Sequence, residues 1–119
     1  MNENKKRGIG LKHALNGVKE AFKKEKNFRI HIYVAVIIIF ASIYFQLSKL
    51  EWIIVLFAIQ SVFITELMNS IAERIIDYVK PAYHPKAKLI KDIAAAVVFI
   101  TAVCSVIIGC LIFVPKILP

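Results

Sequence analysis

The sequence predicts an all-α integral membrane protein in which an N-terminal amphipathic surface helix precedes three transmembrane helices. Of its 119 residues, 59% are apolar, a larger fraction than a soluble protein of this size can bury by itself. The apolar residues also gather into three segments, residues 30–45, 52–71 and 93–114. Each segment is close to the roughly 20 helical residues that cross a hydrocarbon core about 30 Å thick. We therefore expect a single membrane domain over residues 1–119.

Residues 1–29 are predicted to form a surface helix at the cytoplasmic face of the membrane. The apolar residues of this segment are Leu11, Leu15, Val18 and Phe22. They recur at helical spacing, and lysines occupy other positions around the helical wheel. A basic amphipathic helix of this kind lies in the plane of the interface with its apolar face in the lipid.

The basic residues are distributed unevenly, and their distribution predicts the orientation of the spans. Residues 1–29 contain nine Lys and Arg and residues 74–91 contain five, whereas the other two sides have only Lys49 and Lys116. By the positive-inside rule the N-terminus is cytoplasmic and the C-terminus external, in a multi-pass protein of the plasma membrane. The basic excess suits anionic headgroups or a polyanionic soluble ligand. Because the charges flank membrane spans, we do not expect a nucleic acid as partner.

Prolines and polar loops predict where the membrane helices begin and end. The helices that contain the spans are expected over residues 30–45, 52–79 and 87–114. Pro81 and Pro85 break the chain into a short cytoplasmic loop, and Pro115 is expected to end the last helix. Cys104 and Cys110 lie six residues apart in the third span, so they cannot pair within one helix and lack a metal-ligand spacing. They are interpreted as small buried hydrophobic residues.

The second span carries polar side chains along one stripe, an expensive feature for a helix inside a membrane. The members of this stripe are Glu66, Asn69, Glu73 and Asp77, which fall within less than a quarter of the helical wheel. Glu66 lies about 20 Å along the helix from Ile53, within the inner third of the hydrocarbon core. A carboxylate in a span costs roughly 2.5–3.5 kcal/mol on insertion scales, so it should face protein or a hydrated cleft.

The stripe has two interpretations, helix association and a reactive site. Asn and Glu side chains hydrogen-bond across membrane helices, but one Asn would suffice for association. Three carboxylates on one stripe repel one another unless a divalent cation or a proton neutralises them. Oxygen ligands from one or two carboxylates, completed by phosphate oxygens, are typical of a site for Mg²⁺ and a nucleotide.

Other polar residues are expected at the same cytoplasmic level as the shallow end of the stripe. They are Glu25, Tyr83, His84, Lys91 and Asp92. Glu66 is deep enough to meet the hydroxyl of a lipid, and the shallower groups lie where water-soluble ATP can reach them. This arrangement suits phosphoryl transfer to a lipid alcohol, which needs a base or positioning group, a metal and a cation for the developing charge.

At these residues the chain resembles the prokaryotic diacylglycerol kinase family of integral-membrane lipid kinases. The stretch ELMNSIAERIID, residues 66–77, is similar to the family's E-[LI]-x-N-[ST]-x-x-E-x-x-x-D signature. The stretches YHPKAKLIKD, residues 83–92, and EKNFRIH, residues 25–31, are similar to two further elements of the family. The His-Pro pair and the ending IFVPKIL look more like the Gram-positive branch, whose members act as undecaprenol kinases.

The resemblance implies a role for each matching position. Glu66 would be the catalytic base beside the lipid hydroxyl, with Asn69 close to it in the lipid site. Glu25 and Glu73 would bind ATP through the Mg²⁺ that bridges its phosphates. The other ATP contacts would come from Asp77, Tyr83, His84, Lys91, Asp92 and one of Lys6 and Arg7. The family is a homotrimer with active sites between subunits, so Glu25 could serve a neighbour's site.

The predicted function is therefore ATP- and Mg²⁺-dependent phosphorylation of a membrane lipid alcohol, with undecaprenol converted to undecaprenyl phosphate. The alternative within the family is a diacylglycerol kinase that makes phosphatidic acid. A more remote alternative is a small oligomeric proton-coupled transporter with Glu66 as its cation site. That alternative gives no reason for Glu25, Glu73 and Lys91 to gather on one side of the membrane. A structural or assembly peptide is the third class of function.

Overall fold

The chain folds into four helices, of which three are long and apolar enough to cross a membrane. The computed structural model describes residues 3–119, with side chains from residue 8 onwards. The helices are α1 (Glu3–Lys24), α2 (Lys26–Tyr44), α3 (Lys49–Val79) and α4 (Pro85–Ile117). The three candidate spans are α2, α3 and α4. The all-helical class and the number of spans expected from the sequence are confirmed.

The corner between α1 and α2 consists of the single residue Glu25, which has an extended backbone with φ −109° and ψ 104°. The first helix therefore ends at Lys24, and residues 26–29 belong to α2 rather than to the surface helix predicted over residues 1–29. Arg29 stabilises this corner, because its Nη1 donates to the carbonyl oxygens of Phe22 and Lys23, at 2.8 Å each. These carbonyls belong to the last turn of α1, where an α-helix leaves its acceptors without partners.

The second membrane helix begins at Lys49, three residues before the predicted start. Ser48 and Glu51 form a capping box: the Ser48 hydroxyl accepts from the Glu51 backbone N–H at 3.2 Å, and the Glu51 carboxylate accepts from the Ser48 N–H at 2.9 Å. This reciprocal pair satisfies two backbone donors at the helix start. The Lys116 Nζ, at the end of α4, lies 3.1 Å from the Glu51 carboxylate.

The last helix is longer at both ends than the prolines predicted. Pro85 is its first residue, where the missing N–H costs nothing and the fixed φ suits a helix. At the other end α4 continues through Pro115 to Ile117, and Leu118 donates to the Val114 carbonyl at 2.9 Å. Pro115 lies in the last turn of α4. It removes one backbone hydrogen bond, and the backbone hydrogen bonds of the neighbouring residues still form. Pro115 therefore does not end the helix, contrary to the expectation.

The spans pack through stripes of buried residues at helical spacing. On α2 these are Phe28, Ala35 and Ser42, and on α3 they are Val55, Val62, Glu66 and Ser70. Ion pairs at both ends of α3 and α4 show that these two helices are antiparallel. The other faces of the spans expose apolar side chains, as expected of helices surrounded by lipid. Cys104 and Cys110 are also exposed on α4, so the expectation that they are buried is wrong.

Candidate active site

Most of the charged contacts between helices lie at one end of the bundle, which we call the basic end. It comprises the corner between α1 and α2, the last four turns of α3 and the first turns of α4. The opposite end holds a compact apolar cluster around Leu47, Val55 and Phe113, together with the pair of Glu51 and Lys116. The candidate site is therefore confined to one side of the membrane domain.

Glu66 is a buried carboxylate that faces protein. It follows Val62 by four residues on the buried stripe of α3, which points towards α2, and it is only 3% exposed. Its Oε2 lies 3.6 Å from Nε2 of His31 on α2. This separation is within ion-pair range but longer than a hydrogen bond. The placement agrees with the expectation that a carboxylate in a span should face protein rather than lipid.

His31 is a member of the site to which the sequence analysis assigned no role. The signal was present, because His31 follows Phe28 by three residues and precedes Ala35 by four. This spacing places it on the same face of α2 as the buried Phe28 and Ala35. Phe28 also packs edge-on against Phe63 of α3, with ring centroids 5.8 Å apart, which fixes the two helices beside the pair of Glu66 and His31.

Asn69 and Glu73 form the next part of the stripe. The Asn69 Nδ2 donates to the Glu73 Oε1 at 3.4 Å, as their spacing of four residues on one helix permits. The Asn69 Oδ1 is buried and has no hydrogen-bond partner among the described residues. A buried acceptor without a partner is costly in a folded protein. The amide oxygen is therefore available to a hydroxyl donor or a metal ion.

Glu25 lies beside the stripe and is held by a residue that the sequence interpretation also missed. Arg74 Nη2 donates to the Glu25 Oε1 at 2.8 Å, joining the end of α3 to the corner before α2. Glu25 occupies the N-cap position of α2, but its side chain caps no backbone N–H and is free to reach α3. Arg74 directly follows Glu73, about 100° round the helix, so this contact places the Glu25 carboxylate at the same level along α3 as the shallow part of the stripe.

The side chains at the basic end fit a Mg²⁺ ion whose coordination is completed by phosphate. Glu25 and Glu73 offer carboxylate oxygens and Asn69 offers the partnerless amide oxygen, all of the hard type that Mg²⁺ prefers. Within residues 8–119 no three His, Cys, Asp or Glu side chains are close enough to hold a metal ion together. Mg²⁺ in nucleotide sites takes only one or two carboxylates from the protein and its remaining ligands from substrate and water.

A second ion pair joins α3 to α4 at the outermost part of the basic end. Lys91 Nζ lies 2.5 Å from Asp77 Oδ1, and Lys88 pairs with Asp92 along α4 at 2.6 Å. All four side chains are at least one-third exposed, so the pairs contribute little stability and can exchange partners. Asp77 therefore faces the start of α4 rather than ending its helix in solvent alone.

The loop between α3 and α4 presents Tyr83 and His84. The His84 Nδ1 accepts from the backbone N–H of Lys86 at 3.1 Å, so this side chain caps the start of α4. The Tyr83 ring makes no such contact and is 79% exposed. Lys6 and Arg7, expected near the nucleotide, have side chains that lie outside the part of the chain described.

An apolar cleft of about 630 Å³ runs between α2, α3 and α4. His31 belongs to its lining, and the remaining wall is almost wholly hydrocarbon from Val34 at one end to Ile117 at the other. His31, which pairs with Glu66, therefore lies at the edge of an apolar surface. The arrangement therefore combines a buried carboxylate, an adjacent apolar surface and exposed charges, as chemistry on the polar end of a lipid would require.

Comparisons with known proteins identify relatives along nearly the whole chain. The family model described as prokaryotic diacylglycerol kinase matches residues 12–113. The chain is 39% identical over 104 residues to undecaprenol kinase of Bacillus subtilis, covering 87% of this chain and 85% of that protein. It is 33% identical over 111 residues to a diacylglycerol kinase of Synechocystis, covering 92% of this chain and 63% of that protein. A diacylglycerol kinase of Haemophilus influenzae is 35% identical over 95 residues, which cover 80% of each chain.

Proposed function

The chain belongs to the prokaryotic diacylglycerol kinase family and is a lipid kinase, and we propose that it phosphorylates undecaprenol with ATP to give undecaprenyl phosphate. The family expected from the sequence is thereby confirmed. The alternative substrate is diacylglycerol, which would give phosphatidic acid, since relatives of both names match the chain. The relative named undecaprenol kinase matches at 39% identity, against 33% and 35% for the two diacylglycerol kinases above, which favours undecaprenol.

The buried Glu66 is the observation that carries the proposed chemistry. A carboxylate at 3% exposure in a candidate membrane span is expensive, and a catalytic role accounts for its presence. In our proposal Glu66 is the base that accepts the proton of the lipid hydroxyl while the oxygen attacks the γ-phosphate of ATP. The partnerless Asn69 Oδ1, one turn further along α3, accepts a hydrogen bond at the same site and orients the reacting group.

The shallow part of the stripe is proposed to hold the phosphates of ATP. Glu25 and Glu73 would hold Mg²⁺, which when bound neutralises the charge that develops on the phosphate oxygens. Asp77, Lys91 and Asp92 lie at the outer part of the same end, and their exposed pairs can open to admit the nucleotide. Tyr83 and His84, with one of Lys6 and Arg7, complete the proposed nucleotide site.

Arg74 extends this proposal, because its guanidinium already lies beside a proposed metal ligand. Its contact with Glu25 partly neutralises the charge of that carboxylate. With Mg²⁺ held by Glu25, the Arg74 guanidinium would be free to contact a phosphate of ATP, for which its planar donors are well suited.

The membrane placement is part of the proposal. With nine basic residues in 1–29 and five in 74–91, the positive-inside rule favours a cytoplasmic basic end and an external C-terminus in the plasma membrane. ATP would then reach the site from the cytoplasm, and the lipid from the inner leaflet. We further propose a homotrimer, in which the exposed apolar faces of the spans pack against neighbouring subunits as well as lipid.

The substrate is tested by a side-by-side assay of the two alcohols in mixed micelles. Full-length purified protein is given ATP carrying a labelled γ-phosphate and either undecaprenol or diacylglycerol at equal mole fraction. The proposal predicts a larger kcat/KM for undecaprenol. A larger kcat/KM for diacylglycerol would reject undecaprenol while leaving the lipid kinase assignment in place.

A further inference from the structure

His31 is the basic side chain that the structure places beside Glu66. Its Nε2 lies 3.6 Å from the Glu66 Oε2, and the two side chains differ in burial, with 25% of His31 exposed against 4% of Glu66. His31 lies in the second turn of α2, next to the basic end. The pair therefore forms a short route from a buried carboxylate to a partly exposed imidazole. The role proposed above for Glu66 leaves this route without a use.

The proposed chemistry creates a need for such a route in every turnover. The O–H bond of the lipid alcohol breaks, its proton moves to Glu66, its oxygen bonds to the γ-phosphorus, and the bond from that phosphorus to the ADP oxygen breaks. Glu66 is then a neutral carboxyl in a buried site and cannot accept a second proton. It must return its proton to solvent before the next lipid reacts.

We propose that His31 is the proton relay that resets Glu66. The unprotonated Nε2 of neutral His31 accepts the proton from the Glu66 carboxyl. The imidazolium then releases this proton to water, and both groups return to their starting states. The inference rests on the proposed function, because it needs Glu66 as the base. His31 acts on the reaction through Glu66, by removing its proton, and is therefore a positioning and relay residue rather than the base.

The other charged groups around Glu66 are occupied or of the wrong kind. Glu73 accepts from the Asn69 amide, and Glu25 accepts from Arg74. Both are carboxylates, and both belong to the proposed metal site, where a bound cation would prevent them from carrying a proton. An arginine stays protonated at all accessible pH values, so Arg74 cannot relay one.

Among the described residues that line the cleft with His31 there is no carboxylate and no second imidazole. The residues of α4 that line the cleft are apolar apart from Ser105 and Cys110. On α2 itself Arg29 is engaged with backbone carbonyls of α1. Histidine is the side chain whose ordinary titration falls between about pH 5 and 8, which suits both accepting and releasing the proton.

The test compares full-length wild-type protein with His31→Ala and with His13→Ala, the matched loss of an exposed histidine on α1. Each is assayed for labelled phosphate transfer from ATP to undecaprenol between pH 5.5 and 8.5, with and without added imidazole. We expect His31→Ala to lose about 10- to 100-fold in kcat, with KM for the lipid changed by less than about twofold. Imidazole should restore at least about a tenth of the lost rate. The rescue should grow with the fraction of imidazole that is neutral, and His13→Ala should match the wild type.

Every other outcome contradicts the proposed function, the lipid substrate or the relay. If the wild type transfers no phosphate to undecaprenol or diacylglycerol, the proposed function fails. If only diacylglycerol reacts, undecaprenol is rejected as the substrate, and the comparison of the three proteins is made with diacylglycerol. A fully active His31→Ala, or one whose lost rate imidazole does not restore at any pH, rejects the relay. Should His31→Ala fail to fold, His31→Gln replaces it, because glutamine keeps a polar side chain that does not titrate. A wild-type pH profile and rate in His31→Gln would then reject the relay.

Discussion

Arg74 Nη2 donates a hydrogen bond of 2.8 Å to Glu25 Oε1, and this contact joins the end of α3 to the one-residue corner between α1 and α2. If Glu25 is a ligand of the catalytic metal, the guanidinium competes with that metal for the same carboxylate. The contact thus gives a way to test the metal site separately from the transfer of phosphate.

Removing the competing cation should strengthen metal binding. Arg74→Met keeps much of the aliphatic chain and loses the charge. An exposed pair is worth about 0–1 kcal/mol, so the Kd for Mn²⁺, used as a spectroscopic substitute for Mg²⁺, should fall by up to about fivefold. The titration is followed by electron paramagnetic resonance. Lys24→Met, which breaks the surface pair with Glu20 on α1, is the control and should leave the Kd unchanged. Weaker Mn²⁺ binding in Arg74→Met would contradict the competition.

Loss of a proposed metal ligand should act in the opposite direction. Glu73→Gln keeps the size of the side chain and its ability to meet Asn69, but removes the negative charge. We expect the Mg²⁺ concentration for half-maximal activity to rise by about 10- to 100-fold, which is within the usual effect of disturbing a metal site. Chelation by EDTA should abolish activity in the wild type, and excess Mg²⁺ should restore it. An unchanged Mg²⁺ requirement in Glu73→Gln would remove this residue from the metal site.

His84 has a structural role as the cap of α4, and a matched pair of variants separates this role from nucleotide binding. His84→Asn keeps a good capping residue and loses the imidazole, whereas His84→Ala loses both. We expect KM for ATP to rise severalfold in both, and only His84→Ala to lose stability, by about 0.5–2 kcal/mol. Steady-state kinetics and unfolding in mixed detergent micelles measure the two effects. A normal KM in His84→Asn would show that the histidine serves as a cap alone.

The sequence was sufficient for the parts of the fold that follow from period and composition. The three candidate spans and the helical N-terminal segment follow from the number and spacing of the apolar residues. The burial of Glu66 follows from the cost of a charge in hydrocarbon. The early start of α3 could also have been predicted, since Ser48 and Glu51 have the spacing of a capping box. Pro115 led to a wrong prediction of where α4 ends. A proline in the last turn of a helix removes only one of the few backbone hydrogen bonds there, so the helix can continue past it.

The charged contacts between helices were less accessible from the sequence. His31 lies on the buried face of α2, and its spacing from Phe28 and Ala35 was enough to place it there, but not to choose Glu66 as its partner. The contact of Arg74 with Glu25 spans 49 residues and depends on the angle of the corner at Glu25. No local pattern fixes that angle, so only the folded chain reveals the pair.

The most direct test of the central claim is transfer of labelled phosphate from ATP to undecaprenol by the wild type and by Glu66→Gln. The matched control is Glu51→Gln, in the same helix at the opposite end, where glutamine can still complete the capping box with Ser48. We expect Glu66→Gln to lose at least about 100-fold in kcat and Glu51→Gln to stay within about twofold of the wild type. Helical content and oligomeric state should be the same in all three proteins. Transfer at the wild-type rate by a folded Glu66→Gln would show that the buried carboxylate is not the base.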